Sequence, residues 1–101
     1  MVTNIKIGPV NYSVAEVDKL YAEDGTKLGG QIYFSEANIQ IWSKMSDDTK
    51  RVVVLHEVIH GVLNNASLTE HEENFVTAAA IGLAGVLIDN PEFTKMFLGD
   101  K

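Results

Sequence analysis

The spacing of apolar residues divides the chain into a strand-like first half and a helical second half. Asn4–Ile7 and Asn38–Trp42 alternate polar and apolar residues, and residues 30–35 are rich in β-favouring side chains, so all three segments are predicted strands. Residues 12–17 alternate less regularly and fit either a strand or a short helical turn. Only Glu36 and Ala37 separate the last two runs, which is a hairpin-length gap. We therefore predict a small, mostly antiparallel sheet of about three strands.

A first helix is predicted from the residues that follow the strands. Ser46 fits a helix N-cap, and the carboxylates of Asp47 and Asp48 suit the positive end of the helix dipole. This helix is expected to run to Asn64 or Asn65. Strands followed by helices predict an α+β fold.

A second helix is predicted after a short loop at residues 65–68. Thr69 and Glu72 fit a T-x-x-E capping box, and Asn90-Pro91 should end the helix. Gly82 and Gly85 are expected to allow a close approach to the first helix. Its apolar stripe comprises Val76, Ala79, Ala80, Leu83, Val86 and Leu87. One further helical turn is predicted in the tail, through Phe93, Met96, Phe97 and Leu98.

Length and composition limit the possible functions. The chain has 101 residues, of which 46% are hydrophobic, so we expect one domain, residues 1–101, with its own core. The net charge of −6 and the absence of a Lys/Arg cluster argue against a nucleic-acid-binding protein. There are no cysteines, which excludes a disulfide framework and a thiolate metal site.

Targeting and membrane segments are not expected. Residues 1–10 lack an apolar stretch of signal-peptide type, and the nearly uncharged residues 75–88 are too few to span a bilayer. We therefore expect a cytoplasmic protein that binds neither membranes nor nucleic acids. The oligomeric state is not predicted.

The main candidate for chemistry is an H-E-x-x-H motif at residues 56–60 within the first predicted helix. His56 and His60 are four residues apart, so both imidazoles lie on one helix face and can bind one zinc ion. Glu57 can act on a water bound to that metal. Apolar residues flank the motif on both sides, and burying two imidazoles and a carboxylate there without a partner would be costly. A bound metal ion supplies that partner.

A catalytic zinc site needs a third protein ligand. Glu73, Glu72 and His71 are the candidates, because a helical hairpin brings the start of the second helix beside the end of the first. Glu73 extends the apolar stripe of the second helix and is the preferred ligand. Glu72 comes next because the capping box gives it a local role, and His71 lies further round the helix.

The segment Val53-Val-Leu-His-Glu-Val-Ile-His-Gly-Val62 resembles the zincin metallopeptidases, and a following Glu on the next helix resembles their gluzincin branch. The order of a sheet, an active-site helix and a ligand helix is similar to the minimal gluzincins. Small metallopeptidase-like proteins of phages and prophages also resemble this chain, down to the Asp89-Asn90-Pro91 that follows the last long helix. A phage-encoded protein of this type would act in the cytoplasm of its bacterial host.

This resemblance implies a zinc-dependent peptidase whose substrate lies extended along an edge strand, either Asn38–Trp42 or residues 30–35. Glu57 would be the general base, and the oxyanion donor stays open among Tyr12, Tyr21, Tyr33 and His71. The chain lacks the second lobe by which larger zincins close their clefts. The alternative function is therefore a non-catalytic interaction protein that retains a zinc-binding scaffold.

Overall fold

The structure, a computed structural model, describes residues 1–99, which form four strands followed by three helices. The strands are β1 (Asn4–Ile7), β2 (Val10–Val17), β3 (Gly30–Tyr33) and β4 (Asn38–Trp42). The helices are α1 (Asp47–Asn65), α2 (Glu73–Asp89) and α3 (Pro91–Leu98). The predicted α+β class is confirmed, although the sheet has one strand more than the expected number of about three.

The four strands form one mixed sheet in the order β1-β2-β4-β3. Two of its pairings, β1 with β2 and β3 with β4, are antiparallel, as predicted for most of the sheet. The central pairing of β2 with β4 is parallel. Residues 12–17, which fitted either a strand or a helical turn, belong to β2. Strand β3 lies at the edge of the sheet, next to the site described below.

The core of the sheet follows from the alternation of its strands. Ile39 and Ile41 point to one face of β4 and are fully buried, as their spacing predicts. They pack against buried residues of the other strands, namely Ile7, Tyr12, Val14 and Ile32. Val53, Val54 and Val58 of α1 cover this cluster.

Helix α1 is capped at its start and is joined to the sheet near both of its ends. The side chain of Ser46 accepts a hydrogen bond from the backbone N–H of Thr49, which confirms the predicted N-cap. In the first turns of the helix, Lys50 forms a 2.6 Å ion pair with Glu16 of β2. At the other end, the Asn65 amide donates to the carbonyl oxygen of Ile7 at 2.9 Å.

Gly61 lets α1 lie close to the sheet immediately after the H-E-x-x-H motif. A Cβ atom at this position would lie 2.7 Å from Cδ1 of Ile7 and 3.2 Å from Cδ1 of Ile32. Both of these side chains are buried. A larger residue at position 61 would therefore push α1 away from the strands.

The predicted capping box before α2 is wrong. The helix begins at Glu73, and its N-cap Glu72 has extended backbone angles and makes no side-chain capping hydrogen bond. Thr69 lies earlier, in the loop that joins α1 to α2, and lines a cleft instead of capping a helix. The loop is longer than predicted because it carries groups that contact the site.

Helix α2 buries a narrower stripe than predicted. Val76 and Ala80 are fully buried, as expected, and Ala84 is also buried. Leu83, Val86 and Leu87 are exposed, because α2 packs on α1 alone and does not reach the sheet. Gly82 and Gly85 do not serve a close approach to α1, since a Cβ atom at either position would meet nothing within 4 Å.

Helix α2 ends where the sequence predicts, and α3 follows at once. Asn90 caps α2, and Pro91 occupies the first turn of α3, where its missing N–H costs nothing. The predicted turn through Phe93 and Leu98 is thus confirmed as α3, while the last two residues of the predicted tail lie outside the described residues. None of the helices within residues 1–99 combines the length and the apolar run that a bilayer span needs.

Candidate metal centre

Three predicted ligands meet at one point between α1 and α2. The Nε2 atoms of His56 and His60 are 3.2 Å apart on consecutive turns of α1. Glu73, the first residue of α2, places one carboxylate oxygen 3.1 Å from His56 Nε2 and the other 2.6 Å from His60 Nε2. These three side chains form a group that can hold a metal ion.

The donor set and its spacing fit a metal ion with tetrahedral ligands. In a tetrahedral site with metal–ligand bonds of roughly 2.0–2.2 Å, neighbouring donor atoms are separated by about 3.3 Å. The separations of 3.1 and 3.2 Å lie close to this value, and the 2.6 Å between Glu73 and His60 is a hydrogen-bond contact that an ion would replace. Two imidazoles and one carboxylate are also the ligand type of catalytic zinc sites that keep a fourth position open. The Glu73 side chain is 66% exposed, so this position is accessible from solvent.

A chain of hydrogen bonds determines which nitrogen of His60 faces the metal position. His71 Nε2 contacts the carbonyl oxygen of Leu68, which can only accept, so this nitrogen carries the proton. In a neutral His71 the other nitrogen, Nδ1, is then an acceptor. It lies 2.7 Å from His60 Nδ1, which must therefore donate. When a metal ion replaces the 2.6 Å contact of His60 Nε2 with Glu73, this donation from Nδ1 leaves the lone pair of His60 on Nε2, where the ion needs it.

Burial also favours the neutral form of His60. Desolvation lowers the pKa of this imidazole, and the nearby charge of Glu73 opposes the shift without cancelling it. A neutral imidazole is the form that binds metal ions.

Glu57 is buried beside the ligand group but does not belong to it. Its side chain is 8% exposed, and its Oε2 atom lies 4.0 Å from His56 Nε2. Burial raises the pKa of Glu57 to about 7, the charge of Glu73 adds to this effect, and the backbone N–H of Ile32 opposes it. The carboxyl group therefore sits where it can exchange a proton with a molecule at the open position.

Gly30 of β3 makes room for Glu57. A Cβ atom at this position would lie 2.6 Å from Val53 Cγ1 and 3.2 Å from Glu57 Oε2. The edge strand and the active-site helix approach each other closely only because this residue has no side chain.

A cleft of about 370 Å³ runs between β3 and the ligand group. Gly30, Gln31 and Ile32 form its strand wall, with Phe34 beyond them. The remaining lining residues belong to the other side of the cleft: Leu28, His56, Glu57, His60, Thr69, His71 and Glu73. An extended molecule lying along β3 would therefore pass the metal position.

The backbone of β3 turns hydrogen-bonding groups toward this cleft, and two of them, the C=O and N–H of Ile32, already contact the side chains of Gln31 and Glu57. The N–H of Trp42 donates to the carbonyl oxygen of Gly29, so these two residues form a hydrogen-bonded pair. Bonded and non-bonded pairs alternate along an antiparallel ladder, so the backbone groups of Gly30 and Ile32 point away from β4. Strand β4, the other predicted edge, lies between β2 and β3 and offers no free edge.

The structure separates the three candidates for the third ligand. Glu73 is in the group that can hold a metal ion, as preferred from the sequence. Glu72 precedes α2 and lies outside that group. His71 reaches the site, but it contacts the Nδ1 atom of His60 and thus supports a ligand.

The tyrosines considered as oxyanion donors do not line the cleft. Tyr12 is buried in the core of the sheet, and Tyr21 is exposed in the loop before β3. Tyr33 belongs to β3 but is not among the residues that form the cleft wall. His71 alone of these four candidates lines the cleft.

Sequence reasoning did not identify the contributions of Gly30, Ile32 and Leu68. In the sequence the Gly29-Gly30 pair indicates only a turn, and nothing there shows that Gly30 lies against Glu57. The groups by which Ile32 and Leu68 act are backbone atoms, which every residue type possesses. No pattern of side chains marks such positions.

Comparisons with protein-family models, with curated proteins and with solved structures gave no match to this chain. The resemblance to gluzincins therefore stays a prediction made from the residues of the motif and their order along the chain.

Proposed function

We propose that this protein is a zinc-dependent metallopeptidase that hydrolyses peptide bonds. The observation that carries the proposal is the convergence of His56, His60 and Glu73 at one point, with a buried carboxyl group, Glu57, beside it and outside the ligand group. A purely structural metal site has no need of Glu57, which is costly to bury.

His56, His60 and Glu73 would hold the metal ion. When bound, zinc supplies a Lewis acid that polarises a carbonyl group and lowers the pKa of a water toward about 7. His71 keeps the lone pair of His60 on Nε2 through its contact with Nδ1. The open side of Glu73 leaves space for the substrate.

Glu57 would act as general base and then as general acid. Its Oε2 atom accepts a proton from a water in the cleft and later returns that proton to the leaving amine. The side chain is held in place because α1, Gly30 and Val53 surround it. Its burial excludes bulk water from the carboxyl group, which strengthens its interaction with the reacting molecule.

The substrate would be an extended peptide added to the sheet along β3. The outward-facing backbone groups of Gly30 can pair with any peptide main chain, and the carbonyl oxygen of Ile32 can do so when the peptide displaces Gln31 Nε2, so they bind without demanding a particular sequence. The cleft wall that they form leads directly past the ligand group. This placement brings one peptide bond of the substrate within reach of Glu57.

The proposal is tested with Glu57→Gln, assayed on a library of quenched fluorescent peptides. We expect zinc content to remain at one ion per chain and hydrolysis to fall at least about 100-fold, the usual contribution of a general base. Glu72→Gln is the matched control, because it removes a neighbouring carboxylate outside the ligand group. Equal rates of hydrolysis by the wild type and Glu57→Gln would contradict the role of Glu57 as general base.

A second candidate function is a non-catalytic protein that binds a partner and keeps zinc as a structural element. Within residues 1–99 no further lobe covers the cleft and no tyrosine lines it, so donors for an oxyanion are few. This function is supported if the wild-type protein binds one zinc ion per chain but leaves the whole peptide library intact.

A further inference from the structure

Helices α2 and α3 leave an unusually large apolar surface uncovered. Ten large apolar residues of these two helices are each at least 37% exposed. The most exposed of them are Phe75 at 61%, Met96 at 70% and Phe97 at 80%. We call the surface formed by the outward sides of α2 and α3 the outer helical face.

The area of the outer helical face is that of a protein–protein interface. Two of the ten, Leu83 and Leu87, lie on the side of α2 that faces α1, seven and eleven residues after the buried Val76. Aromatic side chains bury roughly 150–250 Å² each and aliphatic ones somewhat less, so the other eight at about half exposure leave on the order of 700 Å² uncovered. The largest apolar patch of a typical monomer is about 300–600 Å². A stable interface buries about 800 Å² on each partner, which is close to the area of this face.

These two helices have few contacts with the rest of the described chain. Helix α2 contacts only α1 and α3, and α3 contacts only α2. An isolated helix of eight residues is not stable in water, and the few contacts with α2 leave the apolar side chains of α3 exposed. Another molecule on this face would bury the exposed apolar side chains of α3 and so stabilise this short helix.

On the outer helical face, α2 has a groove lined by small residues and, on either side of it, ridges of larger side chains that can fit such a groove. Ala78, Gly82 and Gly85 are spaced at i, i+4 and i+7, so they form one row of small residues along α2. A Cβ atom at Gly82 or Gly85 would meet nothing within 4 Å. The helical spacing places Val86 on one side of this row and Ile81 on the other. Two copies of such a helix can pack ridge into groove.

The charges on these helices favour a second copy over a lipid surface. Residues 74–88 contain no charged side chain, so two copies of α2 can meet without like-charge repulsion. Helices that lie on membranes normally carry several Lys or Arg residues on their polar side. Here α2 has none and α3 has only Lys95.

We propose that a second copy of this chain covers the outer helical face and forms a two-fold symmetric dimer, with α2 packed against α2. An isologous contact needs one surface that is complementary to itself, and the groove and ridges of α2 meet this condition. Glu73 lies on the side of α2 that faces α1, as its spacing from the buried Val76 requires. Both metal centres therefore remain open in the dimer.

Sedimentation equilibrium of the full chain tests the proposal. The expected mass is twice the 11.1 kDa of one chain, and Ile81→Glu and Gly82→Leu should each raise the dimer dissociation constant at least 100-fold. Val62→Glu is the matched control: it also changes an exposed aliphatic residue of a helix, and it should leave the dimer intact.

Introduced cysteines give a second test, because the chain contains none. Ala78→Cys should form a disulfide-linked dimer on mild oxidation, whereas Val62→Cys should form the dimer without a disulfide link between its two chains. A wild-type mass of 11.1 kDa at all concentrations would overturn the proposal, as would open-ended association. Dimers of Ile81→Glu as tight as the wild type, or a monomer that binds phosphatidylcholine vesicles, would also overturn it.

Discussion

At the scale of single residues, the metal centre depends on how a few side chains restrict one another. His60 can offer the Nε2 lone pair to a metal ion because His71 accepts from Nδ1, and His71 is held in turn by the Leu68 carbonyl oxygen. Such outer partners orient a ligand and fix its tautomer before the metal ion arrives. His71 is therefore a positioning residue of the centre.

His71→Ala should weaken zinc binding about 10–100-fold, the usual effect of removing an outer hydrogen-bond partner of a ligand. The physical reason is that His60 is then free to rotate and to carry its proton on Nε2. Competition with a fluorescent zinc chelator measures the affinity. Glu70→Ala, in the same loop, is the control and should bind zinc as the wild type does. An unchanged affinity in His71→Ala would contradict the tautomer assignment.

Glu57 should make the stability of the metal-free protein depend on pH. Its pKa is about 7 in the folded protein and near 4.5 in an unfolded chain. The folded state therefore binds the proton more tightly than the unfolded chain does. The contribution of Glu57 to the free energy of unfolding is fully present below pH 4.5 and is lost as the pH rises through 7. Because one pKa unit corresponds to about 1.4 kcal/mol, the loss amounts to roughly 3 kcal/mol.

Glu57→Gln should remove this dependence. In the metal-free state, the unfolding free energy of the variant minus that of the wild type should be roughly 3 kcal/mol larger at pH 8 than at pH 4. Urea denaturation in the presence of a chelator measures both proteins at both pH values. A constant difference between them across this range would show that burial does not shift the Glu57 pKa.

At the scale of secondary-structure elements, the site depends on the short distance between α1 and β3. Gly61 lets α1 approach the sheet, and Gly30 lets β3 approach Glu57. Neither position needs a positive φ angle; each needs only the absence of a side chain. The glycines therefore determine how closely the carboxyl group of Glu57 faces the edge strand.

Gly30→Ala should lower kcat/KM at least about 10-fold and leave the zinc content unchanged, since a misplacement of about 1 Å at a reacting group has effects of up to 100-fold. The new methyl group would displace Glu57 and Val53 but not the three ligands. Gly29→Ala is the matched control, because its Cβ atom would meet only Met45 and Val53. Full activity in Gly30→Ala would show that the position of Glu57 is not critical.

At the scale of the whole molecule, the metal ion would join two parts that otherwise have little contact. The sheet and α1 share one core, whereas α2 and α3 are joined to it only through α1. His56 and His60 lie on α1 and Glu73 lies on α2, so one ion would bridge the two helices. This ion would lie at the N-terminal end of α2, beside the loop that joins α1 to α2.

Removal of the metal ion should therefore lower the melting temperature. A ligand present at about 1,000 times its dissociation constant stabilises a fold by about 4 kcal/mol, which corresponds to at least about 15 °C in melting temperature for a domain of this size. Calorimetry with and without a chelator measures the shift. The chelator should not change the melting temperature of His60→Ala, and an unchanged wild-type value would contradict metal binding at this site.

The sequence alone determined the features that depend on local spacing. The i, i+4 relation of His56 and His60 places both on one helix face, whatever surrounds them. Ser46 begins α1 and Asn90-Pro91 ends α2, because capping and the geometry of proline act within one turn of the chain.

Tertiary structure decided the features that depend on contacts between distant segments. The parallel pairing of β2 with β4 joins strands that are 20 residues or more apart, and no local pattern encodes it. Thr69 fits a capping box, yet the loop directs it into the cleft. The contact of Gly30 with Glu57 and the role of Leu68 exist only because the chain folds back on itself. The spacing of apolar residues predicts which side of a helix or strand is apolar, but tertiary packing determines which residues contact that side.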